Sequence, residues 1–103
     1  MISCDAGRCV LRGPVTIQNA AAVLDEGNRL FTGDFVTLDL AEVTEVDSAA
    51  VSLLLEWRRA AQRRNQRIEF INLPENLKSL AKLYGVSEML EPPGVRRAAA
   101  REA

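Results

Sequence analysis

Four carboxylates, Asp39, Glu42, Glu45 and Asp47, crowd a short stretch that ends against Ser48. Closely spaced carboxylates can trade a proton as general acid and base. A serine beside them is a place where a phosphate could be carried. The chain has no histidine, which removes the commonest general base and the commonest zinc ligand together. Cys4 and Cys9 are its only cysteines, and with scattered carboxylates they give no metal-ligand spacing. The six glycines are dispersed, so neither a phosphate-cradling loop nor a dinucleotide fingerprint is present. The expectation is a chain with no catalytic residue, no metal and no cofactor. Acidic residues ahead of a helix are then favoured by its macrodipole, at about 0.3–1 kcal/mol each.

The arginines at 58, 59, 63, 64 and 67 form the opposite cluster. They complement the negative C-terminal end of a helix and keep its surface solvated. No aromatic residues interleave with them. Lys plus Arg (13) and Asp plus Glu (14) nearly cancel, which argues against a nucleic-acid binder relying on a basic field. No apolar run reaches the ~18–20 residues of a membrane span. The N-terminus, MISCDAGRCVLRG, lacks a basic segment followed by an apolar stretch, so no secretory signal is expected. A cytoplasmic location follows, and a reducing cytosol favours Cys4 and Cys9 as free thiols, although a hairpin turning at Ala6-Gly7 would set them face to face.

Elements must position these residues. Of the 103 residues, 1–91 are expected to form one domain and 92–103, after Pro92-Pro93-Gly94, a flexible tail. Two short strands occupy the region up to about Ile17. In TIQNAAAVLDEGNRLF, the residues Ile17, Ala21, Leu24 and Phe31 recur near helical spacing and predict an amphipathic helix, with Gly27 a weak point, early end or kink. FVTLDL (35–40) alternates as a strand, with Val36, Leu38 and Leu40 on one face. From Ser48 to about Arg64 a helix follows Ala50, Leu53, Leu54, Trp57 and Ala61, and Val51 and Leu55 widen its apolar stripe. Asn65 ends it, and RIEFINL (67–73) is the next strand. Pro74 opens a last main helix with the stripe Leu77, Leu80, Ala81 and Tyr84, and Gly85 stops it. SEML adds a short turn. The order, strand-strand-helix-strand-helix-strand-helix, predicts a small open α/β fold: a mixed sheet of about four to five strands packed with three main helices.

At the seam in VTEVDSAAVSLLLEWRRAAQRR (43–64), Ser48 is an efficient N-cap and Asp47 could cap one position earlier. Physical chemistry favours a cap over a phosphate on Ser48, since that phosphate would lie beside Asp47 and Glu45. As a cap, Ser48 replaced by Ala would cost about 1 kcal/mol.

FVTLDLAEV, the VDSAA seam opening an oily helix, and RIEFINLPENLKSLAKLYGV together resemble the STAS domain family over about residues 8–90. LPENLKSLAKLYGVSEML is most similar to its MlaB-like members. The resemblance implies a non-enzymatic adaptor that binds the ATPase subunit of an inner-membrane ABC complex of Mla type, moving phospholipids and maintaining outer-membrane asymmetry. The protein would then be cytoplasmic, peripheral to the inner membrane through its partner. The alternative within the family is an anti-sigma-factor antagonist, switched by a serine kinase acting on Ser48. In those antagonists the motif is usually Asp-Ser-Xaa-Gly, and Ala50 stands here in the glycine position. The implied contact surface is Asp47, Ser48 and the first turns of the helix (Ala49, Val51, Ser52, Leu55), joined by Leu83 and Tyr84 of the last main helix.

Overall fold

The computed structural model describes residues 1–90; the expected tail at 92–103 lies outside the described residues. Six strands and four helices follow one another: β1 (Ile2–Asp5), β2 (Arg8–Leu11), β3 (Gly13–Val15), α1 (Ala20–Leu30), β4 (Phe35–Asp39), β5 (Val43–Val46), α2 (Ser48–Arg63), β6 (Arg67–Ile71), α3 (Glu75–Leu83) and the short α4 (Ser87–Leu90). The main sheet has the order β1-β2-β4-β6, and β3 and β5 form a separate parallel pair. β1 runs antiparallel to β2, while β2, β4 and β6 are mutually parallel, so the sheet is mixed as expected. The small β3-β5 pair is not visible as such in the sequence. Its strands are only three and four residues long, too short to show a period.

Alternation decides which strand residues enter the core. Register places Cys9, Leu38 and Phe70 in one row, and all three are buried with Val36, Leu40 and Ile68 on the same face. The opposite face carries Arg8, Thr37 and Glu69 in one row and Phe35 beside Arg67. There the Arg67 guanidinium lies 5.7 Å from the Phe35 ring centroid, and Arg8 pairs with Asp39 at 3.8 Å. One face of the sheet is thus apolar and covered, and the other is mostly polar, with Phe35 exposed on it, whereas an all-parallel sheet is covered on both faces.

α2 lies at the centre of the helical layer. It packs on α1, on α3 and on β6, which is why its apolar stripe exceeds what a single contact would need. Ala50, Val51, Leu53, Leu54, Trp57 and Ala61 are all buried. Asn65 does terminate it, in the left-handed conformation (φ 56°). The Gln66 side chain, buried just beyond, donates to the Phe31 and Gly33 carbonyls at 3.2 and 3.0 Å. That satisfies a buried amide and ties the end of α2 to the end of α1.

Gly27 differs from its expected role. α1 runs through it without ending, and its backbone faces the Trp57 indole. A Cβ at this position would stand 2.6 Å from Cε2 and 2.7 Å from Nε1 of the indole, so only hydrogen fits. Trp57 fills that notch, donates its N–H to the Leu24 carbonyl at 3.3 Å, and meets the Phe31 ring edge-on at 4.9 Å between centroids. Such an aromatic pair contributes about 0.5–1.5 kcal/mol beyond its buried area. The inward face of α1 is therefore Val23 and Gly27, followed by Phe31. The predicted stripe through Ile17 and Ala21 is wrong: Ile17 precedes the helix, and both residues are exposed.

The cysteines also depart from expectation. Cys4 and Cys9 are joined in a disulfide. The two-residue turn Ala6-Gly7, with both φ values positive (52° and 83°), closes the hairpin so that Cys4 stands opposite Cys9. Such turns match the twist of paired strands, and this one sets the two sulfurs within bonding reach of each other.

Gly27→Ala separates notch from propensity. In an open helix the change would stabilise by about 1 kcal/mol; here overpacking against Trp57 is expected to give a net loss of about 1–3 kcal/mol, read from the urea midpoint. A gain in stability would contradict the notch.

Candidate functional site

The seam between β5 and α2 is built by one carboxylate. Asp47, with extended backbone, is the N-cap of α2, and its Oδ1 accepts from the Ala49 N–H at 2.9 Å. Its Oδ2 accepts from the Ile17 N–H, also at 2.9 Å. Ser48 is therefore the first residue of the helix and not its cap, which corrects the expectation. An aspartate is the stronger acceptor, because hydrogen bonds to a charged oxygen are about twice as strong as neutral ones.

The loop before α1 is shaped to offer that Ile17 amide. The Thr16 N–H donates to Asn19 Oδ1 at 2.9 Å, and the Asn19 side-chain amide donates to the Pro14 carbonyl at 2.8 Å. With its own backbone held in this turn, Ile17 projects outward and is 78% exposed. Ile17 is one of several singly exposed aliphatic side chains, Leu83 at 75% among them, and what distinguishes it is the anchored amide beneath it.

Beside Ile17 a groove of about 500 Å³ opens between α1 and α2. One wall is Ile17, Ala20, Ala21 and Leu24; the other is Ser48, Ala49, Ser52 and Leu55, with Glu56 and Arg59 at the far end. The walls carry small side chains over an aliphatic base, and the charged end is internally balanced. Glu56 pairs with Arg59 and with Arg63, each at 3.4 Å. Asp47 lies outside this groove, in a smaller and more polar hollow on the other side of Ile17, with Pro14, Thr16 and Glu45.

The structure thus sorts the sequence candidates. Ser48, Ala49, Ser52 and Leu55 come together on one wall, and Asp47 supports them from behind. Val51 does not join them. At 4% exposure it belongs to the core, because it points to the face of α2 that packs inward. Leu83 and Tyr84 are well exposed, at 75% and 52%, but line no part of the groove. The sequence reading missed the α1 wall. Ile17, Ala21 and Leu24 were spaced like a buried stripe, and the residue that marks the true inner face is a glycine, which carries no hydrophobic signal. Asn19 ahead of three alanines was the available cue that the helix starts late.

The acidic cluster is divided among separate tasks. Asp39 accepts from the Ala41 N–H at 2.9 Å and from the Asn72 side chain at 3.2 Å. Glu42 pairs with Arg12 at 3.1 Å, and Asp47 caps α2. Among the described residues, no three His, Cys, Asp or Glu side chains gather to hold a metal ion, and no helix is long and apolar enough to cross a membrane. Several of the arginines have structural partners as well: Arg59 and Arg63 on Glu56, Arg64 on Gln66 at 3.5 Å, and Arg67 on Phe35.

A family model described as "Mlab, STAS domain" matches residues 3–91. The chain belongs to the STAS domain family. Among solved structures, the anti-sigma factor antagonist SpoIIAA in its unphosphorylated form matches with a TM-score of 0.69 at 13% identity, covering 100% of this chain and 96% of that one, a likeness of fold. A structure of Mglu matches with a TM-score of 0.58 at 31% identity over 75% of this chain. Mglu in its native form gives 0.52 at 24% identity over 72%. The chain spans only 20% and 23% of those two Mglu chains. No curated protein matches the sequence. The six strands and four helices described above are a STAS fold, with the VDSAA seam opening its longest helix.

The division of labour at the seam gives a direct comparison. Asp47→Ala removes the cap and releases the Ile17 amide to water, and is expected to cost about 1–2 kcal/mol in chemical denaturation. Ser48→Ala should fall within about 0.5 kcal/mol of wild type. Equal losses for the two would return the cap to Ser48.

Proposed function

We propose that this STAS domain is a non-enzymatic adaptor subunit that docks on the ATPase of an inner-membrane ABC complex of Mla type, supporting phospholipid transport and outer-membrane lipid asymmetry. The observation that carries the reading is the groove beside Ser48. It is preformed, apolar at its base, fringed by small side chains, and flanked by an exposed aliphatic residue on a fixed backbone. Concavities of this kind accept a projecting side chain or a helix edge from a partner. The Mlab description of the matching family model supports the choice of partner. In this role the protein sits at the membrane through its complex.

The second reading, a partner-switching antagonist of an anti-sigma factor with a kinase acting on Ser48, draws on the likeness of fold to SpoIIAA and on the exposure of Ser48. The seam weakens it. A phosphate at a helix N-terminus is held by free backbone N–H groups, and the Ala49 N–H is already engaged by Asp47. A phosphate on Ser48 would add its charge next to that carboxylate. Ala50 stands where glycine is usual in the switching motif, and its side chain packs into the core, so the motif is incomplete here.

Tagged protein purified from its own cells should bring down an ABC ATPase; recovery of a kinase-like anti-sigma factor would establish the second reading instead. On the isolated pair, Ser48→Asp and Ser52→Arg, both at exposed positions, are expected to weaken binding about 10-fold or more with unchanged thermal stability. Leu83→Arg should bind as wild type. The reverse pattern would move the interface to α3.

A further inference from the structure

We propose that the Cys4–Cys9 pair is a reversible thiol-exchange site, open to low-molecular-weight thiols of the glutathione class and attacked at Cys4. The hairpin makes the two sulfurs unequal. Cys4 lies on the edge strand β1 and is exposed, whereas Cys9, on the inner strand β2, is only 1% exposed. A concavity of about 390 Å³ reaches both. Its lining also includes Gly7, Leu30, Thr32 and Arg29, the last contributing a cation. This suits an incoming thiol that carries carboxylates, and a cation nearby favours a thiolate over a thiol. The concavity shares no lining residue with the groove between α1 and α2.

Exchange through such a site follows one order. An external thiolate attacks Cys4 Sγ; the Cys4–Cys9 bond breaks, and the electron pair leaves on Cys9 Sγ, which takes a proton from solvent. Cys4 is then a mixed disulfide. A second external thiolate attacks the external sulfur of that mixed disulfide and releases Cys4 as thiolate. In sum, the protein disulfide and two thiols give the protein dithiol and one external disulfide. The return path is the same steps reversed, with Cys9 resolving the mixed disulfide on Cys4.

The fold keeps this path open in both directions. The pairing that opposes Cys4 to Cys9 does not depend on their bond. Asp5 opposite Arg8 and Ile2 opposite Leu11 flank it in register, Ile2 and Leu11 are both buried, and the Arg12 N–H donates to the Met1 carbonyl at 2.7 Å. The reduced pair therefore stays face to face. With a sequence separation of 5, the bond closes a short loop, and its loss frees less chain entropy than the loss of a bond closing a long loop would. What changes on reduction is the covalent tie of the edge strand to the rest of the sheet.

Full-length protein equilibrated in buffers of fixed total glutathione and varied thiol-to-disulfide ratio, then acid-quenched, alkylated and weighed, tests this directly. The expected result is interconversion between the disulfide and the dithiol across the series, with glutathione found on the Cys4 peptide in samples quenched early. With oxidised glutathione, Cys9→Ala should accept glutathione on Cys4 at least about 10-fold faster than Cys4→Ala accepts it on Cys9, reflecting their unequal access. The wild-type peptide map carries the same information if either variant fails to fold. A pair fixed in one state across all ratios, or glutathione found on Cys9 as readily as on Cys4, would overturn the proposal.

Discussion

The carboxylate of Asp47 holds two backbone amides that the chain would otherwise leave apart, those of Ala49 and Ile17, each at 2.9 Å. The first bond starts α2 in register with the end of β5. The second fixes the entry to α1 against that same helix end. Because one side chain does both, the loop that leads into α1 is tied to the N-terminus of α2 through a single planar group. Ser48 is thereby released from capping, and Ile17 is held out into solvent on an anchored backbone.

Further along the same helix pair, the constraint is steric. Trp57 occupies the space that the absent side chain of Gly27 leaves, and its N–H reaches the Leu24 carbonyl. The helices thus approach closely at Trp57 and are bridged through a carboxylate at their N-terminal ends. The groove lies between α1 and α2 above buried Leu53. Small residues on its walls, Ala20 and Ala21 facing Ser48 and Ser52, leave it open. A groove formed in this way exists before any partner arrives, so less ordering has to occur on binding than for a flexible surface.

The strands β4 and β6 and the helix α2 were legible because their periods are clean, with alternation in FVTLDL and RIEFI and a wide stripe from Ala50 to Ala61, and the β1-β2 hairpin was legible from its turn at Ala6-Gly7. Three things were not. The β3-β5 pair is too short to show alternation. The inner face of α1 is organised around a glycine, so a reading based on hydrophobicity rotated the helix and placed Ile17 and Ala21 inside. The choice between Asp47 and Ser48 as cap turned on the Ile17 amide, a contact thirty residues away in sequence that no local pattern reveals. Of the surface expected from the sequence, Ser48, Ala49, Ser52 and Leu55 lie together on one wall of the groove, and the opposite wall was not anticipated. Val51 was drawn in because a stripe that wide does not show, from sequence, which edge is outermost.

These features join a family, a fold and a surface. The STAS family gives the kind of fold, and the proposal puts the contact at the groove beside Ser48. The most direct measurement is amide hydrogen exchange of the full chain with and without the purified ABC ATPase subunit. The account predicts that the partner slows exchange at Ile17 and Ala21 and through the first turns of α2, leaving the C-terminal end of α3 unchanged. Protection confined to residues 83–89 or to the outer face of the sheet, with the groove unaffected, would contradict it.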